Sequence, residues 1–165
     1  MTLQLGDWVL DADVNLTMEL SGNQVKEHCT CGYCRNYYQA IEDFCPSLSS
    51  FLSAFGVNIQ GPDELSPFEP TIYEASYIVQ GRILSKGSMP ISIDGIPLHI
   101  CSHEESDLET EHPQPFFVLT LGLIQLPWVL KDPMDEVISP ANEPEYLDRM
   151  QKKLLNRISK DQIYS

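Results

Sequence analysis

The chain has 165 residues, of which 42% are hydrophobic and 9% aromatic, a composition typical of one globular domain with an apolar core. It has 10 basic and 24 acidic residues, which give a formal charge of −14. This charge disfavours nucleic acids and anionic membranes as partners, because binding to either requires clustered Lys and Arg. The N-terminus carries neither the basic nor the apolar stretch of a secretory signal, so the sequence predicts a cytoplasmic protein with a single domain, 1–165.

The first predicted element is a long strand from Trp8 to Leu20. Apolar and polar residues alternate along it without a break, which is the pattern of a half-buried strand. Residues 28–56 follow as a predicted insertion, formed by a cysteine-rich loop and two short helices. The second of these helices is expected to begin at Pro46 and to stop near Gly56, since proline suits the first helical position and glycine the C-terminal cap.

Residues 57–70 contain Gly61, Pro62, Pro67 and Pro70 and are predicted to form a loop. The alternation from Thr71 to Leu84 indicates a second strand. Asp94-Gly95 stands between two short apolar runs and predicts a two-residue hairpin turn, because both turn positions require a positive φ.

An acidic stretch, 104–111, precedes a predicted strand over 116–129 that is apolar on both faces and is therefore expected to be central in the sheet. This apolar run is interrupted by Pro127 and is too short for a membrane helix. Residues 144–163 predict a C-terminal helix with one apolar face and basic residues in its later turns. Local hairpin signals without a repeated strand-helix-strand alternation favour an α+β fold with an antiparallel sheet, either open or folded as a sandwich.

The most distinctive local feature is the run His28-Cys-Thr-Cys-Gly-Tyr-Cys-Arg-Asn-Tyr-Tyr38. Zinc prefers thiolate and imidazole ligands in tetrahedral geometry, and a Cys-x-x-Cys spacing lets one loop supply two of them. The sequence therefore predicts a structural zinc site with four candidate ligands close together in the chain: His28, Cys29, Cys31 and Cys34.

The fourth position of such a site has distant candidates as well. His99, Cys101 and His103 alternate with Leu98 and Ile100, so they are expected to share one face of a strand. If one of them replaced His28, the zinc would join two distant segments of the chain. The sequence leaves the choice between His28 and these alternatives open.

Two other interpretations of the cysteines remain. Cys31 and Cys34 have the spacing of a thiol-disulfide pair at a helix N-terminus, although the polar segment before them does not predict the preceding strand that such pairs usually follow. All of the cysteines could also be thiols without special chemistry. Asn36, two residues after Cys34, is expected to cap the following helix.

The Cys-x-x-Cys-Arg-Asn-Tyr-Tyr element over 31–38, followed by a short amphipathic helix that ends near Phe55, resembles a family of uncharacterised bacterial proteins. That family shares a Cys-x-x-Cys-x-Asn-aromatic element, and the resemblance covers residues 29–65. It implies a bacterial protein in which the cluster is one unit, and it implies no activity.

The acidic composition and the lack of common catalytic motifs in the sequence favour a non-enzymatic domain that binds a basic protein, such as an inhibitor or immunity-type module. The alternative is a metal- or thiol-dependent enzyme that uses the Cys-x-Cys-x-x-Cys cluster. The two hypotheses differ in the coordination sphere. Four protein ligands make a closed structural zinc site, whereas three ligands and a water make a catalytic one.

Overall fold

The computed structural model describes residues 1–23, 31–69 and 71–131. Within these ranges the chain forms three helices, namely Val14–Asn23 (α1), Gly32–Phe44 (α2) and Pro46–Ser53 (α3). The strands are Thr2–Leu5 (β1), Trp8–Ala12 (β2), Glu64–Glu69 (β3), Ile72–Ser85 (β4), Ile91–Ile93 (β5), Ile96–Ser102 (β6) and Phe116–Gln125 (β7).

Every pairing between these strands is antiparallel, and the order in the sheet is β1-β2-β4-β7-β6-β5, with β3 paired to β4. The predicted α+β fold with an antiparallel sheet is confirmed. The described strands form one sheet and not the two facing sheets of a sandwich. The helix predicted over 144–163 lies outside the described residues.

The sheet has two unlike faces, because successive residues of a strand point to opposite sides. On the core face, Tyr73, Tyr77 and Leu119 are fully buried in one apolar cluster together with residues of α2 and α3. On the outer face, a smaller cluster forms around Ile78 and Val118, and it is covered by Leu108 of the loop between β6 and β7. The helices α2 and α3 therefore pack on the core face.

The strand predicted over 71–84 and the hairpin agree with the structure, and the strand predicted over 116–129 is present but ends four residues earlier, at Gln125. β4 covers the second predicted strand, and β7 lies between β4 and β6, so it is central as expected. At the hairpin between β5 and β6, Asp94 has φ 50° and Gly95 has φ 79°. These are the two positive φ values that a type I′ turn requires.

The prediction of one strand from Trp8 to Leu20 is wrong in its second half. β2 ends at Ala12, and α1 begins at Val14. The reason is a helix cap: Asp13 accepts the backbone N–H of Leu16 with its side chain at 3.0 Å. As a result Thr17, expected on the polar side, is buried, whereas Met18, expected on the apolar side, is 56% exposed.

The predicted loop over 57–70 contains a strand, which is a second correction. β3 pairs with β4 from Glu64 to Glu69, and Pro67 lies opposite Tyr73 where the register shifts. Proline cannot donate a backbone hydrogen bond, so it is tolerated in a strand at an edge or an irregularity of this kind. Prolines in a sequence favour a loop, and the sequence does not show that this segment pairs with a neighbouring strand on one side only.

Candidate metal centre

The two described cysteines of the motif lie at the N-terminus of α2. Cys31 is the N-cap residue, with an extended backbone, and its Sγ accepts the backbone N–H of Cys34 at 3.5 Å. Cys34 is 3% exposed, whereas Cys31 is half-buried. Both sulfurs are thus brought to the same helix end, where the unpaired backbone N–H groups stabilise negative charge.

Asn36 fixes this helix end to the sheet and is not the helix cap that the sequence predicted. It lies inside α2 and is fully buried. Its Nδ2 donates to the carbonyl oxygen of Pro127 at 3.0 Å and to the hydroxyl of Tyr73 at 3.3 Å, while its Oδ1 accepts the N–H of Val129 at 2.7 Å. One side chain therefore holds α2, β4 and the segment after β7 together.

Tyrosine hydroxyls make the second connection between α2 and the sheet. The hydroxyl of Tyr37 lies 2.5 Å from that of Tyr77, which donates to the carbonyl oxygen of Ile59. The hydroxyl of Tyr73 donates to the carbonyl oxygen of Tyr33 at 2.7 Å. Burial raises the pKa of Tyr37 and Tyr77 far above the ordinary value, and it raises the pKa of Tyr73 to about 12. All three remain neutral hydrogen-bonding groups at physiological pH.

The remaining local ligand candidates, His28 and Cys29, lie outside the described residues. In the chain they stand three and two residues before Cys31, so at most three residues separate either of them from the start of α2 at Gly32. The prediction that His28, Cys29, Cys31 and Cys34 form one zinc site stays a prediction.

The distant ligand candidates lie on the other side of the sheet. Leu98 and Ile100 face the core, as the alternation predicted, so His99 and Cys101 face outward. Cys101 packs against the outer cluster, and the ring of His103 lies against Phe116, with a centroid distance of 5.5 Å. Cys31, in contrast, packs against the core cluster. The sheet thus separates His99, Cys101 and His103 from Cys31 and Cys34, and the structure does not bring them together.

The other described cysteine, Cys45, joins α2 to α3 at the opposite end of α2. Burial raises its pKa, and the nearby Asp94 carboxylate adds to this effect. Across residues 1–23, 31–69 and 71–131, no group of three His, Cys, Asp or Glu side chains is arranged to hold a metal ion. A complete site at α2 would have to include ligands from the segment before Cys31.

A buried polar cluster on the outer face was not predicted. The Nδ1 of His112 lies 3.1 Å from Nε2 of Gln80, and its Nε2 lies 3.3 Å from Oδ1 of Asp63. The other carboxylate oxygen of Asp63 accepts the N–H of Ile78 at 2.7 Å. These contacts hold the loop between β6 and β7 against β4. The sequence gives no signal for them, because the three residues come from distant segments.

Comparison with known proteins adds no family. No protein-family model matches the chain, and no curated protein and no solved structure shows significant similarity to it. None of the helices in the described parts of the chain has both the length and the apolar character needed to cross a membrane.

Proposed function

We propose that this chain is a non-enzymatic binding domain whose cysteine motif holds a structural zinc ion at the N-terminus of α2. The observation that carries the proposal is the cap made by Cys31, whose sulfur accepts the N–H of Cys34. An N–H donated to sulfur, together with the positive end of the helix dipole, favours the thiolate form. Thiolates are the form in which cysteine binds zinc.

The donor set fits zinc better than the other common metals. Two thiolates at one helix end, with a third thiol and an imidazole directly before them in the chain, give the Cys₃His composition of a closed structural site. Hard cations such as calcium and magnesium require oxygen ligands instead. Zinc at this position would join the segment before Cys31 to α2, which Asn36 and Tyr37 already fix to the sheet.

Elemental analysis of the purified chain should give about one zinc per molecule. Cys31→Ser and Cys34→Ser should each lose it, because removing one of four ligands weakens the site strongly. Cys45→Ser and Cys101→Ser are matched controls that should keep the metal, since one lies at the far end of α2 and the other across the sheet. A wild-type chain without metal, or equal loss from all four variants, would contradict the zinc site.

The partner proposed for this domain is a basic protein, and one surface suits it. Glu42 and Asp43 are exposed at the end of α2, next to Phe44, whose side chain is 56% exposed. An exposed aromatic side chain that directly follows two exposed carboxylates in the chain is a suitable anchor for a basic protein surface.

A pull-down at low ionic strength should recover a basic protein, and high salt should weaken its binding because exposed charges are screened. Phe44→Ala should reduce recovery severalfold. Met18→Ala is the matched control, since Met18 is also 56% exposed but lies on α1. Failure to recover any protein partner at low salt, or equal loss with both variants, would count against this surface.

One observation favours the alternative, a thiol-dependent activity at the same pair. Cys31 is half-buried and Cys34 is almost fully buried, which is the arrangement of an attacking thiol and a resolving thiol. This alternative would gain support if the metal-free chain stayed folded while iodoacetamide modified Cys31 much faster than Cys45. A structural zinc site requires the opposite result, namely loss of folding on removal of the metal.

A further inference from the structure

The strands at the borders of the sheet differ in how their backbone edges are protected. Among the described strands, β1 and β5 are the outermost ones, and β3 pairs with β4 alone. An outer strand presents backbone N–H and C=O groups with which another chain can pair, and proteins usually block such an edge with charges, proline or a very short strand. β3 contains Pro67 and has a glutamate at each end, while β5 has only three residues and follows Pro90, so both are protected.

β1 has none of these protective features. Its sequence is Thr-Leu-Gln-Leu, without charge or proline, and its pairing with β2 runs without a register shift. Thr2 and Gln4 are exposed, whereas Leu3 and Leu5 pack against the core cluster. β1 is therefore an unprotected edge strand with one apolar side.

The backbone groups of β1 that face away from β2 belong to Thr2 and Gln4. The backbone nitrogen of Met1 donates to the carbonyl oxygen of Ala12 at 2.9 Å, and the N–H of Ala12 donates back to Met1 at 2.8 Å. In an antiparallel pair of strands, such hydrogen-bonded pairs alternate with pairs whose N–H and C=O groups point away from the partner strand. The register therefore gives Leu3 the next bonds to β2 and turns the backbone groups of Thr2 and Gln4 outward, where no described strand pairs with them.

We propose that β1 pairs with β1 of a second copy of this chain, antiparallel and about a two-fold axis at Leu3. Thr2 of each copy then lies opposite Gln4 of the other, and their outward groups form about four backbone hydrogen bonds. Residues that lie opposite each other in antiparallel strands point to the same face, so both copies keep their core faces on one side. Leu3 meets its counterpart at the axis, and the two sheets continue into one.

A second copy fits this edge better than a basic protein does. The outward pattern is self-complementary, because the spacing from Thr2 to Gln4 matches itself when the strand direction is reversed. A chain with a formal charge of −14 repels its own copies, and two copies approach with the least repulsion at an edge without charged side chains. A basic protein, in contrast, binds best where carboxylates are exposed.

Sedimentation of the full chain under reducing conditions tests this dimer. The paired edge is short and the interface is small, so dimers should form at about 0.1 to 1 mM chain. Salt should strengthen the dimer, because it screens the repulsion between two acidic chains. Binding of a basic protein should weaken with salt instead, so failure of this proposal is distinguishable from failure of the proposed function.

Gln4→Pro should lower the dimerisation constant at least about tenfold, because proline removes the outward N–H of this residue and leaves the bonds between β1 and β2 in place. The matched control is Ser92→Pro on β5. Ser92 lies opposite Pro97, which has no N–H to give, so the backbone groups of Ser92 also face outward. This control variant should dimerise like the wild-type chain.

Gln4→Glu is a second variant in case Gln4→Pro does not fold. It keeps the N–H and adds a like charge to the edge, so it should weaken the dimer severalfold at low salt and less at high salt. Hydrogen exchange locates the interface: the amide of Gln4 should exchange more slowly as the chain concentration rises, while the amide of Ser92 should not change.

A chain that stays monomeric at about 1 mM would overturn the proposal. Dimers that the Gln4 variants and Ser92→Pro weaken equally would do the same, and so would a Gln4 amide whose exchange is independent of concentration. Growth beyond two chains would also overturn it, because pairing about a single two-fold axis closes at the dimer.

Discussion

Replacing Asn36 by alanine should lower the free energy of unfolding by about 3 kcal/mol, because the loss of a fully buried amide leaves polar groups without partners. The groups that lose this partner are the carbonyl of Pro127 and the N–H of Val129, while the hydroxyl of Tyr73 loses one hydrogen bond and keeps the one it donates to Tyr33. Alanine is the better helix former, so the propensity change alone would raise stability slightly. Urea unfolding measures the difference between the two proteins.

The matched control is Asn15→Ala, which makes the same substitution at an exposed position of α1 and should change stability by at most about 0.5 kcal/mol. Hydrogen exchange gives a local readout, since the amide of Val129 should exchange faster in Asn36→Ala. Equal effects of the two substitutions would show that Asn36 does not hold α2 to the segment after β7.

The sequence predicts a helix cap at Asn36, because Asn is favoured at that position. The structure begins α2 at Gly32, so the cap position belongs to Cys31 and Asn36 lies one turn inside the helix. Its partners, 91 and 93 residues away in the chain, cannot be deduced from local pattern.

Other elements were predictable because their signals are local. The Asp94-Gly95 turn depends only on backbone φ, and the start of α3 at Pro46 depends only on the fixed φ of proline. The alternation from Trp8 to Leu20 predicts a strand that is too long, because a helix cap at Asp13 outweighs the strand pattern. The alternation of apolar residues continues on both sides of Asp13. The side chain of Asp13 accepts the backbone N–H of Leu16, however, and so caps the helix that begins at Val14.

For the distant ligand candidates, the sequence predicts the face of the strand but not the side of the sheet on which that face lies. The alternation that placed His99 and Cys101 on one face of a strand was confirmed, since Leu98 and Ile100 face the core. The sequence does not predict which face of the sheet the helices cover, because this depends on the connections between strands. In the structure the helices cover the face opposite to His99 and Cys101, so the sheet separates these candidates from Cys31. His28 is the histidine nearest to Cys31 in the sequence.

The buried tyrosines that fix α2 make the fold sensitive to alkaline pH. Burial is the main cause of the raised pKa of Tyr37 and of Tyr77, and the proximity of the two phenols raises that of Tyr77 further. In the unfolded chain both ionise near pH 10, whereas in the folded protein they ionise only at higher pH. Their contribution to stability is therefore complete below pH 10 and is lost as the pH rises above it.

Unfolding by urea at pH 8 and at half-unit steps above pH 10 should show this loss. Each tyrosine contributes a slope of up to about 1.4 kcal/mol per pH unit, so Tyr37, Tyr77 and Tyr73, whose pKa burial also raises, together should cost the fold up to about 4 kcal/mol per unit. Tyr77→Phe should be less stable at pH 8, because it removes the contacts with Tyr37 and Ile59, and its slope above pH 10 should be about two thirds as steep. A slope equal to that of the wild-type protein would show that the hydroxyl of Tyr77 is not protected from ionisation by the fold.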